Sequence, residues 1–343
     1  MTINSKLISW FTAVGVALGF AVTNPAQVSS ASVGVQRIVA NKHLTADRDW
    51  YLQTEDKTAF LYLKEVGRGE PVVVLHGGPG ADHRYITAIA NGLENKFRFV
   101  FYDQRGSGLS FCAKENISME KAVRDLETIR NALGREKLNL VSHSFGTMLA
   151  MNYLQTHPQS VKNIVLLGAL DPKNGNRDFF TSEELERFGK RNDEVKAFNE
   201  RPEAQAEIAK AGLDRPNLTP IQEFQVRQIK SAAGSIYRIE RWRQNVFFIA
   251  NRDASQAMRT STNFVYDWSK MLAGHPFPIT IINGEYDYTV GSKGSPIWRR
   301  VVSTEAKNVK LVLIDKAGHN SWIDDPVVFR NSLRDALTRR NKR

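Results

Sequence analysis

Cysteine is almost missing from this chain. Cys112 is the only one among 343 residues, which excludes an intrachain disulfide and any cysteine-rich metal site. A long apolar run is also missing beyond residue 31, so no later segment reads as a membrane span. There is no G-x-G-x-x-G fingerprint for a dinucleotide, no internal repeat and no low-complexity linker. Acidic residues are in deficit, 36 against 47 basic ones, for a formal charge of +11. The basic residues are scattered, and their only tight run is Arg339, Arg340, Lys342 and Arg343. Without an RNA-binding or zinc-finger signature, this charge predicts a solvated basic surface and no nucleic-acid partner. An acidic partner is the alternative.

The remaining composition is that of a globular protein: 42% apolar and 24% charged. The start of the chain stands apart. Lys6 is followed by an uncharged, largely apolar run over 7–22, then by small and polar residues ending at Ser29-Ser30-Ala31. This pattern predicts a signal peptide over 1–31, cut after Ala31, and a secreted or periplasmic product with no span once the signal is removed. An uncleaved anchor is the alternative, although the run is shorter than the ~20 residues a spanning helix needs.

Residues 50–70 alternate as two strands joined by a polar turn. The runs PVVVL (71–75), FRFVFY (97–102), LNLVS (138–142) and NIVLLGAL (163–170) are short and continuously apolar, as strands covered on both faces are. Between them Ser118–Leu133 reads as a helix: Ser118 caps it, Val123, Leu126, Ile129 and Leu133 share a face, and Gly134 ends it. Alternating strands and helices predict an α/β fold with a mostly parallel sheet flanked by helices. The alternation stops at Asp171. Residues 171–275 are polar and helical in pattern, and strands resume with PITIING (278–284) and VKLVLID (309–315). The core is therefore expected over 32–170 and 276–343, with a helical cap inserted over 171–275.

Four segments carry chemistry. In Ser142-His143-Ser144-Phe145-Gly146 a strand turns sharply into a helix, the setting of a nucleophile elbow. The turn needs small residues on either side of the nucleophile. Gly146 supplies one, and Ser142 stands where glycine is usual. An ordinary helix N-cap at Ser144 is the alternative. A serine hydroxyl needs a neighbouring base. Asp287 follows the strand PITIING and His319 follows VKLVLID, so both fall at carboxyl ends of strands, where open α/β sheets build their sites. Glu285 and Asp315 are fallback acids. His43, His83, His157 and His275 lack such a position and read as structural. After PVVVL comes His76-Gly77-Gly78-Pro79-Gly80, whose glycines let a backbone N–H approach a substrate oxygen. The N–H groups of Gly78 and Phe145 are the candidate oxyanion donors, with His76 holding the loop. Asp103-Gln104-Arg105-Gly106-Ser107-Gly108 reads as a buried polar cluster supporting these loops.

In order, HGGPG (76–80), DQRGSG (103–108), SHSFG (142–146), GEYD (284–287) and AGH (317–319) resemble the proline iminopeptidase family of serine peptidases over about residues 55–325. The resemblance implies an α/β-hydrolase fold with a helical cap, Ser144 as nucleophile, Asp287 as acid, His319 as base, HGGPG as the oxyanion loop, and neither metal nor organic cofactor. It also implies that cap carboxylates hold the substrate's free amino group. Glu223 and Glu240 are the candidates, with Glu203 and Glu207 behind them. The expected substrate is a small peptide cleaved from its amino end. An esterase or lactonase with the same triad is the first alternative, and an inactive binding protein on the same fold is the second.

Overall fold

The computed structural model describes residues 48–173, 182–245, 250–287, 289, 296–304, 306 and 308–339. The expected signal peptide over 1–31, His43 and the basic residues beyond Arg339 lie outside them.

The apolar runs form a sheet of nine strands: β1 (Arg48–Gln53), β2 (Ala59–Gly67), β3 (Glu70–Leu75), β4 (Phe97–Tyr102), β5 (Phe111–Cys112), β6 (Leu138–His143), β7 (Val161–Leu167), β8 (Ile279–Gly284) and β9 (Val309–Ile314). Their spatial order is β1-β2-β4-β3-β6-β7-β8-β9, with β5 beside β2. Pairing is antiparallel among β1, β2, β4 and β5, and parallel from β4 across to β9. The continuous apolar strands are the parallel ones, as covering on both faces requires. From β3 the chain first steps sideways to β4, and β6 then returns to the opposite flank of β3. The carboxyl ends of β3 and β6 thus frame a topological switch point, where a crevice opens in doubly wound sheets.

On one sheet face, Leu63, Val73, Leu140 and Ile281 pack under helices α1 (Met119–Ala132) and α2 (Gly146–Thr156). Ser118 caps α1 by accepting from the Lys121 N–H at 3.2 Å, and Gly134 follows with φ 62°, as its sequence signals imply. On the other face, Val74, Phe99, Val141 and Val165 meet helix α10 (Pro326–Thr338) through Phe329 and Leu333. Each fully buried Val, Leu or Phe stabilises by roughly 1.5–3 kcal/mol.

The described residues of 171–275 carry the helices α3 (Ser182–Asn199), α4 (Pro202–Lys210), α5 (Pro220–Ser231), α6 (Arg252–Ser261) and α7 (Ser269–Ala273), joined by turns and irregular stretches. The helices divide. Ala254, Met258 and Leu272 of α6 and α7 join the apolar cluster of α1 and α2. Phe198, Ala204, Ile208 and Ile229 of α3–α5 join the opposite cluster, together with the segment 232–242. Two further α-helices are α8 (Pro296–Thr304) and α9 (Ser321–Asp324); α8 precedes β9 and α9 leads into α10. Among the described residues no helix is long and apolar enough to cross a membrane. Arg339, first of the basic terminal run, is spent internally: it donates to the carbonyls of Ile279 and Asn308, both at 3.0 Å.

Candidate active site

The turn between β6 and α2 has the shape its small residues suggest. Ser144 has φ 52°, a left-handed conformation that costs a non-glycine residue of order 1–3 kcal/mol. It is held there by its N–H donating to Leu167 O at 3.0 Å. Gly146 is obligatory for space, since a Cβ there would stand 2.6 Å from Leu75 O. Ser142 is accommodated inside β6, fully buried, with a hydroxyl that meets no protein partner. The HGGPG loop presses on the elbow: a Cβ on Gly77 would come within 2.6 Å of Ser144 Cβ.

Asp287 and His319 meet beside this turn. The His319 Nδ1–H donates to Asp287 Oδ2 at 2.7 Å, and Asp287 Oδ1 accepts from the Thr289 N–H at 2.9 Å. A carboxylate only accepts, which assigns a proton to Nδ1; in the neutral imidazole Nε2 is then the nitrogen with the lone pair. Both residues are buried. The fallback acids lie elsewhere: Glu285 is 3.9 Å from Arg299, and Asp315 is exposed. Ser144 and His319 line the same cavity, of about 240 Å3, with Gly77 and Gly78 at its edge.

Between the loops sits a chain of polar groups that the motifs do not announce. The Gly77 N–H donates to the Tyr85 hydroxyl at 2.6 Å, and that hydroxyl donates to His143 Nδ1 at 2.7 Å. The opposite edge of His143 faces His319 O at 3.4 Å, and the two imidazoles lie 4.5 Å apart between centroids. Gly77 therefore has no N–H to spare for a ligand. Among the described residues, the N–H groups of Gly78 and Phe145 meet no acceptor. His76 holds the loop by accepting from the Gln104 N–H at 3.1 Å, while Gln104 Nε2 donates to His76 O at 2.8 Å.

The DQRGSG segment is a buried clamp. Asp103 Oδ1 accepts from the His83 N–H and from His83 Nδ1–H, each at 2.8 Å, and its Oδ2 accepts from the Leu109 N–H at 2.8 Å. Asp82, His83 and Asp103 could by proximity gather a cation. The carboxylate oxygens are already engaged, those of Asp82 by Arg84 and those of Asp103 by the bonds above, so the cluster reads as structural. Arg105 reaches Asp125 through two bonds, at 2.8 and 2.5 Å, and Asn116 O at 2.7 Å.

Burial holds His143 well below the ordinary histidine pKa of 6.5, and it lowers His76 in the same way. An unfolded chain takes up protons at these positions below about pH 6.5, whereas the folded one does not. Their contribution to stability is present above that pH and lost as pH falls. The thermal midpoint is expected to drop between about pH 7 and about pH 5, and less steeply in His143→Gln. Equal slopes in melts of the two proteins would remove His143 from this account.

Among the described residues, no cap carboxylate lines the cavity. Glu223 lies in the first turn of α5 at half exposure, 3.7 Å from Arg227. Glu240 and Glu203 are exposed, and Glu207 is part-buried on α4. Glu223 and Glu240, expected to hold a substrate amine, are thus not among the residues that line the cavity. The face of α5 that meets the cavity carries Gln228 and Ser231, three residues apart on one side of the helix, and Glu223 is rotated away. Ser235, Asn245 and Asn320 line it as well. Amphipathic phasing of α5 around Ile229 and Ala232 would have been the only signal for this.

A parallel sheet with a strained serine turn at its switch point, and an Asp–His pair on the next strand ends, is the architecture of an α/β hydrolase. The chain belongs to the alpha/beta hydrolase fold family, whose model matches residues 70–326. It is 41% identical over 115 residues to a proline iminopeptidase of Neisseria gonorrhoeae, covering 32% of this chain and 36% of the relative. It is 33% identical over 114 residues to one of Heyndrickxia coagulans, covering 33% of this chain and 39% of the relative. The matched region thus spans somewhat over a third of these curated relatives. Among solved structures, an alpha/beta fold family hydrolase from Bacillus anthracis str. Sterne superposes with a TM-score of 0.63 at 20% identity, covering 85% of this chain and 99% of that one. A proline iminopeptidase-related protein from Thermus thermophilus superposes with a TM-score of 0.58 at 23% identity, covering 85% and 98%. At these identities the structural likeness speaks to the fold.

Proposed function

We propose that this protein is a serine hydrolase in which Ser144 is the nucleophile, His319 the general base and Asp287 the acid that orients it. The observation that carries this reading is the 2.7 Å bond between His319 and Asp287 in the wall of the cavity that Ser144 enters. His319 Nε2 takes the hydroxyl proton as Ser144 Oγ bonds to the acyl carbon. The carbonyl oxygen becomes an oxyanion and is met by the N–H groups of Gly78 and Phe145. As the bond to the leaving group breaks, His319 returns the proton to it. Water then attacks the acyl-enzyme with His319 again as base, releasing the acid and restoring Ser144.

The named relatives support cleavage of a peptide or amide bond next to an amino-terminal residue, in the manner of a proline iminopeptidase. The cavity suits a single small acyl group, since drug-sized ligands occupy about 300 Å3 or more. A second reading is supported by the cap wall. Gln228, Ser231, Ser235 and Asn245 are uncharged, and among the described residues lining the cavity there is no carboxylate; Asp287 is bound to His319. An acyl group without a free amine, carried as an ester or lactone, fits that wall. Turnover of prolyl and other aminoacyl amides should be compared with that of nitrophenyl esters. Amide cleavage that fails when the amine is acetylated supports the peptidase. Ester turnover without amide cleavage selects the second reading. We further propose that the protein acts outside the cytoplasm, a reading supported by Lys6 and the apolar run after it.

A further inference from the structure

A single carboxylate joins the cap to the loop that carries the histidine. Asp324 is almost fully buried at the end of α9, five residues past His319. Its Oδ2 accepts from the Gly318 N–H at 2.8 Å, immediately before His319. The same side chain accepts from two cap N–H groups, Tyr237 to Oδ2 at 2.9 Å and Arg238 to Oδ1 at 2.8 Å. Arg241 adds a bond from Nη1 to Asp324 O at 2.8 Å.

The joint continues on both sides. The Asn320 N–H donates to Ser235 O at 2.8 Å, and Asn320 Nδ2 donates to Asn245 Oδ1 at 2.8 Å. Gly318 abuts the cap so closely that a Cβ there would lie 2.9 Å from the Ile236 backbone. The Tyr237 ring packs 4.7 Å from that of Tyr286, next to Asp287. The cap segment that supplies Ser235 and Asn245 to the cavity therefore rests directly on the loops of both the base and its acid.

We infer that Asp324 is a positioning residue, through which seating of the cap segment 235–245 over a substrate sets the alignment of His319. Resting as it does on the proposed triad, this makes cap closure and base alignment one event. A carboxylate suits the task because it accepts from several N–H groups at once, two from the cap and one from the base loop. An amide in its place has one accepting oxygen, and its NH2 faces a donor. Asp325, its neighbour in sequence, has only a local role: it caps α10 by accepting from the Val328 N–H at 3.0 Å.

The test uses a small fluorophosphonate, which reacts with an activated serine without needing the cap wall, and follows the second-order labelling rate of the whole protein alongside its thermal melt. Asp324→Asn is expected to label roughly ten- to a hundredfold more slowly while still melting cooperatively, as a small misplacement of a base does. Arg238→Pro, which leaves the carboxylate but removes both cap bonds of Arg238, N–H to Oδ1 and Nε to Asp324 O at 3.2 Å, is expected to be slowed in the same direction. Asp325→Ala is expected to melt earlier and label at the wild-type rate. Wild-type labelling in Asp324→Asn overturns the inference, as does a loss no larger than the loss of folded protein. If Asp324→Asn does not fold, Arg238→Pro decides by the same criterion. Failure of the wild-type protein to label at all is a different result, and it removes the triad itself.

Discussion

Replacing Ser144 by alanine is expected to lower kcat by at least about ten-thousandfold, with the fold and substrate affinity retained. In the proposed mechanism the bond to the acyl carbon is made by Ser144 Oγ, and no other hydroxyl occupies the elbow position. Alanine removes only that oxygen. It also leaves a non-glycine residue at φ 52°, so the backbone strain is unchanged and the melt should shift little. The residual rate comes from the oxyanion donors and from binding, which still orient a water. Activity assays with a melt as control will read this directly. A fall of less than about tenfold, with a contaminant excluded, would make another group the nucleophile.

The largest expected loss of stability follows from Arg105→Met. Arg105 is buried under loop 103–110 and forms a forked pair with Asp125 of α1, while also donating to Asn116 O. Methionine fills the stem's volume and leaves the Asp125 carboxyl, whose pKa burial already raises, buried and without its partner. Breaking a buried pair from one side costs about 3–5 kcal/mol. Against a total stability of about 5–15 kcal/mol, that is a third or more for many domains. Denaturant titration should show the midpoint move down with little change in slope. The double variant Arg105→Met with Asp125→Leu is expected to recover part of the loss, because the stranded carboxyl is gone. A single variant as stable as wild type would show that the pair contributes nothing net.

Legibility in the sequence follows the range of the interactions. Strands such as Val72–Leu75 and Leu138–Val141 announce themselves because burial on both faces leaves an apolar run with no alternation. The placement of Ser144, Asp287 and His319 past strand ends is readable because each sits in a short motif there, where local backbone demands dictate the residues. The cap gives no such purchase. Its helices are short and polar, and which face of α5 looks into the cavity is decided by Ile229 and Ala232 packing on distant residues. Glu223 stands out in the sequence by its charge, yet the helix turns it outward. Tyr85 and Asp324 escape a sequence reading for a related reason. Tyr85 meets His143 58 residues on, and Asp324 meets Tyr237 87 residues back, so neither role leaves a local pattern. The Asp324-Asp325 doublet before Pro326 reads as a plain helix start, although only Asp325 serves as the cap.

The most direct measurement is peptide mapping by mass spectrometry after reaction with a fluorophosphonate. The account predicts one adduct per chain, on Ser144, absent in Ser144→Ala and strongly slowed in His319→Ala. A folded wild-type protein that stays unmodified, or one whose adduct lies on a different residue, would contradict it.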